Sequence, residues 1–264
     1  MITNMWEKSL YTKNISWILH EMFEYDIEKA NISILLQNNV ISQRDYDMLC
    51  QMSKFSRQVT IGRMQKDPRI SKIVNNGFME ARKALIQTNN IDDEEIVSIR
   101  KDALCLIRKP VITDFGCVRF TLRNVYSMMM RCMGLELYFG YDERDNSYNI
   151  DVKGISDDKL PYHQTFLEYL CSWLKSIQDG RIDSAIIDIM NYMRAYEERS
   201  LPIECYREFN SMSMLRIGAT GTYGVFDITN DIDISIVNIN FNREIVRELF
   251  RIFSEIQYQS TGTR

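Results

Sequence analysis

Histidine and closely paired cysteine are scarce in this sequence of 264 residues. The chain has two histidines, His20 and His163, and its six cysteines lie far apart without a Cys-x-x-Cys pair. Zinc sites need clustered cysteine and histidine ligands, so this spacing excludes the usual zinc-binding classes. Two isolated histidines also indicate no Ser-His-Asp or Cys-His catalytic group. Dispersed cysteines are typical of free thiols in a reducing cytosol.

Long apolar segments and proline-rich linkers are missing as well. No run approaches the roughly 20 apolar residues that span a bilayer. Glu7, Lys8 and Lys13 interrupt the apolar residues of the amino terminus, which is unlike a signal peptide. We therefore expect a cytoplasmic protein that does not bind a membrane. The chain has four prolines and no low-complexity run, so no linker is indicated.

The composition favours a folded domain with a mild overall charge. Hydrophobic residues make up 45% of the chain, enough for a buried core, and the formal net charge is −4. Such a charge provides no general attraction to nucleic acid, so phosphate binding requires a local basic patch. One such stretch runs from Lys54 to Lys83, in which Asp67 and Glu80 are the only acidic residues. It is either a solvated helix face or an element that contacts phosphates.

Hydrophobic periodicity predicts a strand, three helical segments, a hairpin, two further helices, and a carboxy-terminal strand and helix. The predicted ranges, in that order, are 15–25, 26–36, 45–55, 73–86, 96–99 with 104–107, 166–177, 185–196, 232–239 and 243–256.

Two aspartates carry the candidate chemistry. Asp26 ends the first predicted strand, and Asp102 falls at the tip of the predicted hairpin. We expect the two carboxylates to meet on adjacent strands although they are far apart in sequence. Mg²⁺ is bound by one or two carboxylates together with substrate phosphates, and a pair of such ions serves phosphoryl transfer. The alternative is that Asp102 is only a turn-forming residue.

The order of these segments resembles the palm and thumb of family-B DNA polymerases. Asp26-Ile-Glu-Lys-Ala-Asn-Ile-Ser33 resembles the aspartate segment of the family, and Lys72-Ile-Val-Asn-Asn-Gly77 resembles its lysine-bearing helix. Arg100-Lys-Asp-Ala-Leu-Cys-Leu106 is similar to the Asp-Thr-Asp hairpin and keeps the second aspartate as Asp102. Tyr148-Asn-Ile-Asp-Val-Lys-Gly-Ile155 is similar to the segment that leads into the thumb. The resemblance covers about residues 15–205.

The sequence also departs from the family pattern. The first aspartate of the hairpin is lost, and Asn31 stands where the family carries a tyrosine that excludes ribonucleotides. Met133-Gly-Leu-Glu-Leu-Tyr-Phe139 lacks the lysines expected of a primer grip. Because 25 residues precede Asp26, we expect no proofreading exonuclease domain.

The resemblance implies an α+β fold: an antiparallel polymerase-type palm sheet, a small helical fingers insertion and a helical thumb. The implied organisation is a palm at 1–155 with a basic fingers insertion at about 37–90, a thumb-like region at 156–205 and a β-plus-helix region at 206–264. It further implies a minimal, phage-type protein that acts in the host cytoplasm.

The implied function is DNA replication by a nucleotidyltransferase that extends a primed DNA template with nucleoside triphosphates. Asp26 and Asp102 are the expected catalytic residues and ligands of Mg²⁺ or Mn²⁺. The other implied contacts are nucleotide binding by Lys72, Arg63, Arg69 and Asn31, and DNA binding by Lys101 and Lys153.

Two alternatives to this function remain. The first is a non-catalytic, palm-derived protein that binds nucleic acid or serves assembly, with a protein partner at the carboxy-terminal region. The second is a primase-like enzyme that accepts ribonucleotides, which Asn31 favours.

Four other motifs are weaker candidates. Gly218-Ala-Thr-Gly-Thr-Tyr-Gly224 lacks the Lys-Ser/Thr of a phosphate loop and is typical of a hairpin or a flexible loop. Asp92-Asp-Glu-Glu95 is typical of a solvated turn, and Asp231 with Asp233 is a weaker candidate ion site. Met128-Met-Met130 is typical of core filling, although methionines also form adaptable binding surfaces.

Overall fold

A computed structural model describes residues 4–142, 147–154, 163–206, 214–217, 222–225 and 241–261. Every strand pairing in these ranges is antiparallel, and helices lie between the strands in sequence, so the predicted α+β class is confirmed. The chain folds as two compact units. The first comprises Met1–Asn14 and His20–Tyr126, and the second comprises Ile15–Leu19 and Ser127–Arg264.

The first unit is built on a six-stranded antiparallel sheet. Its strands, from one edge to the other, are β1 (Leu10–Thr12), β4 (Ile96–Arg100), β5 (Ala103–Leu106), β3 (Met22–Ile27), β7 (Val118–Tyr126) and β6 (Asp114–Phe115).

Four helices between β3 and β4 cover one face of this sheet. They are α1 (Ala30–Gln37), α2 (Gln43–Gln51), α3 (Lys54–Met64) and α4 (Pro68–Thr88). Successive side chains of a strand point to opposite faces, so Phe23, Tyr25 and Ile27 of β3 point the same way. All three are buried in one core with Ile34 of α1 and Phe78 of α4. The opposite face of β3 carries Met22, Glu24 and Asp26.

The helix boundaries follow from local capping. Ser42 and Asp45 form a capping box at the start of α2, and the Ser53 hydroxyl caps α3. Asp67 caps α4 ahead of Pro68, a residue favoured in the first helical turn. Asn89 follows the last residue of α4, so the predicted helix stop at this position is confirmed.

The predicted hairpin is confirmed as β4 and β5. Lys101 and Asp102 form its two-residue turn, and Lys101 has the left-handed φ of 49° that such turns require. Arg100 pairs with Ala103 directly across the turn. The turn therefore lies at the rim of the sheet, with Asp102 at its tip.

The second unit contains a four-stranded antiparallel sheet and three helices among its described residues. The strands, in spatial order, are β10 (Ser147–Lys153), β9 (Leu135–Asp142), β8 (Met128–Cys132) and β2 (Trp17–Ile18), and the helices are α5 (Gln164–Gln178), α6 (Ile182–Glu197) and α7 (Phe241–Thr261). A short pair of strands, β11 (Met214–Ile217) and β12 (Thr222–Val225), also belongs to this part of the chain.

The core of the second unit joins its sheet to its helices. Phe139 of β9 and Val152 of β10 are buried in the same cluster as Trp173 of α5 and Phe253 of α7. The apolar face of α7 is therefore used within its own unit. Met128, Met129 and Met130 are each at most 2% exposed, which confirms their prediction as core residues.

The unit boundary differs from the predicted end of the palm at residue 155. Strands β8 to β10 belong to the second unit because their apolar side chains pack with α5 and α7. The palm was predicted to end at 155 because the segment 148–155 resembles the one that leads into the thumb of family-B DNA polymerases. None of the described helices combines the length and apolar character that crossing a membrane requires.

Several predicted features fall partly or wholly outside the described residues. The central residues 218–221 of the glycine-rich segment are outside them, although β11 and β12 on either side pair as a hairpin. Asp231, Asp233 and the predicted strand at 232–239 also lie outside the described ranges.

Candidate functional site

The ends of two neighbouring strands bring Asp26 and Asp102 together. Asp26 of β3 pairs with Ala103 of β5, the residue directly after Asp102. The Ile27 amide donates a hydrogen bond to the Asp102 carbonyl oxygen at 3.1 Å. The register of the strands therefore places Asp26 and the backbone of Asp102 at the same rim of the sheet.

The two oxygens of the Asp26 carboxylate lie in different surroundings. Its side chain is 29% exposed, and Oδ2 is 3.5 Å from Nη1 of Arg123 on β7. Oδ1 is buried and has no hydrogen-bond partner within the described part of the chain. Leaving a buried carboxylate oxygen without a donor is costly, so this oxygen has an unused capacity for a cation or a donor group.

The surroundings of Asp26 favour its neutral form. Burial raises the pKa of Asp26 to about 6, and the negative charges of Asp102 and Glu24 add to the increase. The Arg123 guanidinium and the Ile27 amide act in the opposite direction, but they do not restore the ordinary pKa of an aspartate. Perturbed carboxylates of this kind are more frequent at functional sites than elsewhere on a protein.

Glu24 adds a second acid to the same face of β3. It is 4% exposed and accepts hydrogen bonds from Nδ2 of Asn124 at 2.6 Å and from the Tyr126 hydroxyl at 2.9 Å. Both donors belong to β7, so the pairing of β3 with β7 fixes the Glu24 carboxylate. Glu24 is therefore a fixed carboxylate whose negative charge acts on Asp26.

A buried arginine supports the turn that contains Asp102. Arg82 of α4 is 2% exposed, and its guanidinium donates to the carbonyl oxygens of Trp6, at 3.0 Å, and of Lys101. Burial lowers the pKa of Arg82, whereas the Asp102 charge raises it. Arg82 therefore connects α4 to the hairpin tip and contributes positive charge near Asp102.

The carboxylate pair fits a hard divalent cation. The described residues contain no cluster of three or more histidine, cysteine or acidic side chains arranged to hold a metal. Mg²⁺ in phosphoryl-transfer sites is commonly held by one or two carboxylates plus substrate phosphates and water, so two aspartates meet this requirement. The buried, unpartnered Oδ1 of Asp26 is the observation that favours a cation here.

The predicted nucleotide-binding residues lie on the helices of the first unit. Asn31, in the first turn of α1, accepts a hydrogen bond from Nε2 of Gln65 at 3.0 Å. Arg69 is paired with Asp67 at 3.0 Å, while Arg63 and Lys72 are exposed.

Lys72, a predicted nucleotide-binding residue on helix α4, lies away from the aspartates. Lys72 precedes Arg82 on this helix by a span of about 15 Å along the axis, given a rise of about 1.5 Å per residue. Among the described residues, Arg82 is thus the α4 cation next to the aspartate rim, whereas Lys72 extends the basic surface away from it.

The two predicted DNA-binding lysines belong to different units. Lys101 is exposed beside Asp102, and its Nζ lies 5.2 Å from the centre of the Phe78 ring. Lys153 is on β10 of the second unit, where it pairs with Asp151 at 2.5 Å. Only Lys101 shares the hairpin turn with Asp102.

Three charged residues of the rim were not singled out from the sequence. Arg82 falls at helical spacing with Phe78 and Leu85, so it occupies a position on the buried face of α4, which periodicity alone reveals. Glu24 shares a strand face with Asp26, which the period of two reveals. Arg123 has no such signal, because its place beside Asp26 depends on the pairing of β3 with β7.

The family comparison concerns almost the whole chain. The family model described as Bacteriophage PBS1 gene 130 protein matches residues 1–253. The chain belongs to this family. The expected phage relationship is therefore confirmed, and the gene 130 family name carries no statement about an activity. No curated protein is detectably similar to this member of the gene 130 family.

Proposed function

We propose that the protein is a nucleotidyltransferase that extends a nucleic-acid primer, similar in type to a DNA polymerase without proofreading. The observation that carries this proposal is the pairing of Asp26 with Ala103, which puts Asp26 and the hairpin turn that contains Asp102 at the same rim of an antiparallel sheet, where the Asp102 charge acts on Asp26. The raised pKa of Asp26 adds support because perturbed carboxylates are more frequent at functional sites, and the unpartnered Oδ1 adds support because it could accept a cation.

Asp26 and Asp102 would hold Mg²⁺ or Mn²⁺ in this proposal. When bound, such ions supply charge neutralisation at phosphate oxygens and lower the pKa of a nucleophilic hydroxyl group. The chain itself fixes the two carboxylates through the sheet register and holds the hairpin turn through Arg82. Glu24 keeps the site negative and therefore selective for cations.

The substrates in this proposal are a primed DNA template and nucleoside triphosphates. Lys101 stands beside the aspartate rim and would contact the nucleic-acid backbone, which positions a strand without reading its sequence. Arg63 and Lys72 provide exposed positive charge for the triphosphate or the template. The reaction would take place in the cytoplasm of an infected host cell.

A primer-extension assay tests the proposal. Purified protein is incubated with a labelled primer on a longer template, Mg²⁺ or Mn²⁺, and either deoxyribonucleotides or ribonucleotides. We expect extension by the wild type and its loss in Asp26→Asn and Asp102→Asn, while Asp92→Asn, an exposed acid outside the rim, remains active. Extension that survives both rim substitutions contradicts the assignment of the site.

A non-catalytic nucleic-acid-binding protein is the second candidate. The observation that favours it is the 3.5 Å contact between Arg123 and Asp26, because an ion pair of this kind competes with a metal ion for the carboxylate. Absence of extension by a folded wild type that still binds primed DNA supports this second candidate over the enzyme.

Comparing deoxyribonucleotides with ribonucleotides in the primer-extension assay distinguishes a DNA polymerase from a primase-like enzyme. Asn31 occupies the position at which the resemblance places a ribose-excluding tyrosine, and its oxygen is held by Gln65. Comparable incorporation of ribonucleotides and deoxyribonucleotides would assign the enzyme to the less selective class. Incorporation of deoxyribonucleotides alone would retain the DNA polymerase proposal.

A further inference from the structure

Helix α3 presents an apolar and cationic outer face. Its inner side carries Ile61, which is 6% exposed and packs in the core of the first unit. On the opposite side, Phe55 is 76% exposed and Val59 is 38% exposed. Residues four apart lie on the same side of a helix, so Phe55, Val59 and Arg63 form one outward row.

Most basic side chains in and after α3 have no acidic partner within the ranges that the structure describes. Five basic side chains between residues 54 and 72 form no ion pair with a carboxylate in the described part of the chain: Lys54, Arg57, Arg63, Lys66 and Lys72. Arg69, in the same stretch, is instead paired with Asp67. The α3 face therefore combines an exposed aromatic ring with a local excess of positive charge.

Gly62 leaves the middle of this face open. A Cβ atom at Gly62 would meet no atom within 4 Å, so the helix backbone is accessible between Val59 and Arg63. Glycine in a helix interior costs roughly 0.5–1 kcal/mol relative to alanine. The outer face of α3 is thus unobstructed at Gly62, about one turn from Val59 and about 10 Å along the helix axis from Phe55.

We propose that the outer face of α3 binds single-stranded nucleic acid. Unneutralised cations attract a phosphate backbone, and an exposed aromatic ring stacks on bases, which is the combination that sequence-independent single-strand sites use. Unpaired bases are required, because bases in a duplex are already stacked on each other. We define this surface, Phe55, Val59, Gly62 and Arg63 with the flanking Lys54 and Lys66, as the α3 strand-binding face.

A protein partner fits this face less well than a nucleic acid. A stable protein interface usually buries about 800 Å² on each partner, with a core that is depleted of charge. Here two exposed apolar side chains lie among several cations, so charge rather than apolar area dominates the surface. The complementary ligand is a polyanion with planar groups.

Fluorescence anisotropy of a labelled oligothymidylate of about 20 nucleotides measures this binding, since single-strand sites cover about 4–16 nucleotides. We expect Phe55→Ala to weaken binding about fivefold or more, as loss of one stacked base predicts. Lys54→Gln, Arg63→Gln and Lys66→Gln combined should reduce the slope of log Kd against log salt by about 2, because each phosphate contact contributes about 0.7.

Gly62 provides a matched pair of variants. Gly62→Glu and Gly62→Gln add side chains of the same length into open space, so both should fold. The α3 strand-binding face predicts that Gly62→Glu loses most of the binding and that Gly62→Gln retains it. Lys83→Gln is the control outside α3. Lys83 lies on α4, where its Nζ is 3.9 Å from Glu80, and this variant should bind like the wild type.

The failure of this proposal is distinguishable from failure of the proposed enzyme. Asp26→Asn and Asp102→Asn should abolish primer extension while single-strand binding stays unchanged. Binding that is equally tight in Phe55→Ala, Gly62→Glu and the wild type would overturn the proposal. So would a preference for a duplex of the same sequence, or Phe55-dependent binding of anionic lipid vesicles in the absence of oligonucleotide binding.

Discussion

The main-chain amide of Ile27 donates a hydrogen bond to the carbonyl oxygen of Asp102 at 3.1 Å. This bond ties the end of β3 to the turn before β5, so the sheet backbone places Asp26 beside Asp102. Two like charges are thereby held as neighbours at the sheet rim. The raised pKa of Asp26 is partly a consequence of this arrangement, and a bound cation would relieve the repulsion.

The pKa of Asp26 should respond to its neighbours in opposite directions. Asp102→Asn removes a negative charge and should lower the pKa of Asp26 from about 6, whereas Arg123→Gln removes the nearby positive charge and should raise it. Carbon-13 NMR titration of the aspartate carboxyl groups measures both shifts. An unchanged pKa in Asp102→Asn would contradict the proximity of the two carboxylates.

The stability of the protein should depend on the ionisation of Asp26. Its pKa is about 6 in the folded state against an ordinary value of 3.8, so folded Asp26 binds its proton more tightly than unfolded Asp26. This group therefore stabilises the fold at low pH, and that contribution is lost as the pH rises from about 4 to about 6.

Asp26→Asn tests this dependence because it replaces the buried charge with a neutral group. At pH 7.5 the substitution should increase the free energy of unfolding by at most about 3 kcal/mol, at roughly 1.4 kcal/mol for each pKa unit. At pH 4 it should have little effect, since Asp26 is then neutral. Urea unfolding at the two pH values provides the comparison, and a stabilisation that does not depend on pH would exclude this cause.

Two helical glycines should respond differently to alanine. A Cβ atom at Gly77 of α4 would lie 2.2 Å from Cγ2 of Ile34, whereas a Cβ atom at Gly62 would meet nothing within 4 Å. We expect Gly77→Ala to destabilise the protein by about 1–3 kcal/mol through overpacking. Gly62→Ala should stabilise it by about 0.5–1 kcal/mol.

Adding Ile34→Ala to Gly77→Ala removes the clashing methyl group, so the two substitutions should cost less together than the sum of their separate effects. Thermal or urea unfolding of the four proteins gives the coupling energy. Additive effects would show that Gly77 is not held by contact with Ile34.

Arg82 should be essential for the stability of the hairpin tip. Arg82→Met leaves the Trp6 and Lys101 carbonyl oxygens without their donor and should destabilise the first unit by about 3 kcal/mol. Lys83→Met, at the next and more exposed position, should change stability by less than about 0.5 kcal/mol. Arg82→Lys should not restore stability fully, because one ammonium group lacks the forked geometry of guanidinium.

Hydrogen exchange provides the local readout for Arg82. In Arg82→Met we expect faster exchange of the Ile27 amide, whose acceptor is the Asp102 carbonyl in the same turn. If protection of that amide is retained while global stability falls, Arg82 acts on the core rather than on the turn.

Local patterns were sufficient for most elements of the first unit. The predicted strand at 15–25 contains most of β3, but it also contains β2, which belongs to the other sheet. The turn at Lys101 and Asp102 separates two apolar runs that form the hairpin, as predicted. The helices predicted at 45–55 and 73–86 begin earlier in the structure, directly after the caps Ser42 and Asp67. These signals are short-range, so they are readable without the tertiary structure.

Long-range pairing accounts for what the sequence did not reveal. The contact of Arg123 with Asp26 depends on β7 joining β3 in the sheet, and no local pattern selects that partner. The assignment of β8 to β10 to a second unit depends on which helices cover their apolar faces. Arg82 was counted with the exposed basic residues because its charge obscured its place on the apolar side of α4.

The most direct test of the central assignment is Mn²⁺ binding by electron paramagnetic resonance, in which free Mn²⁺ gives the signal. At pH 7.5 the wild type should bind Mn²⁺, and Asp26→Asn and Asp102→Asn should each weaken binding at least about tenfold, since each removes one charged ligand. Binding by the wild type should also weaken as the pH falls below about 6, where Asp26 becomes protonated. Mn²⁺ affinity that is the same in the wild type and in both variants would contradict a cation site at Asp26 and Asp102.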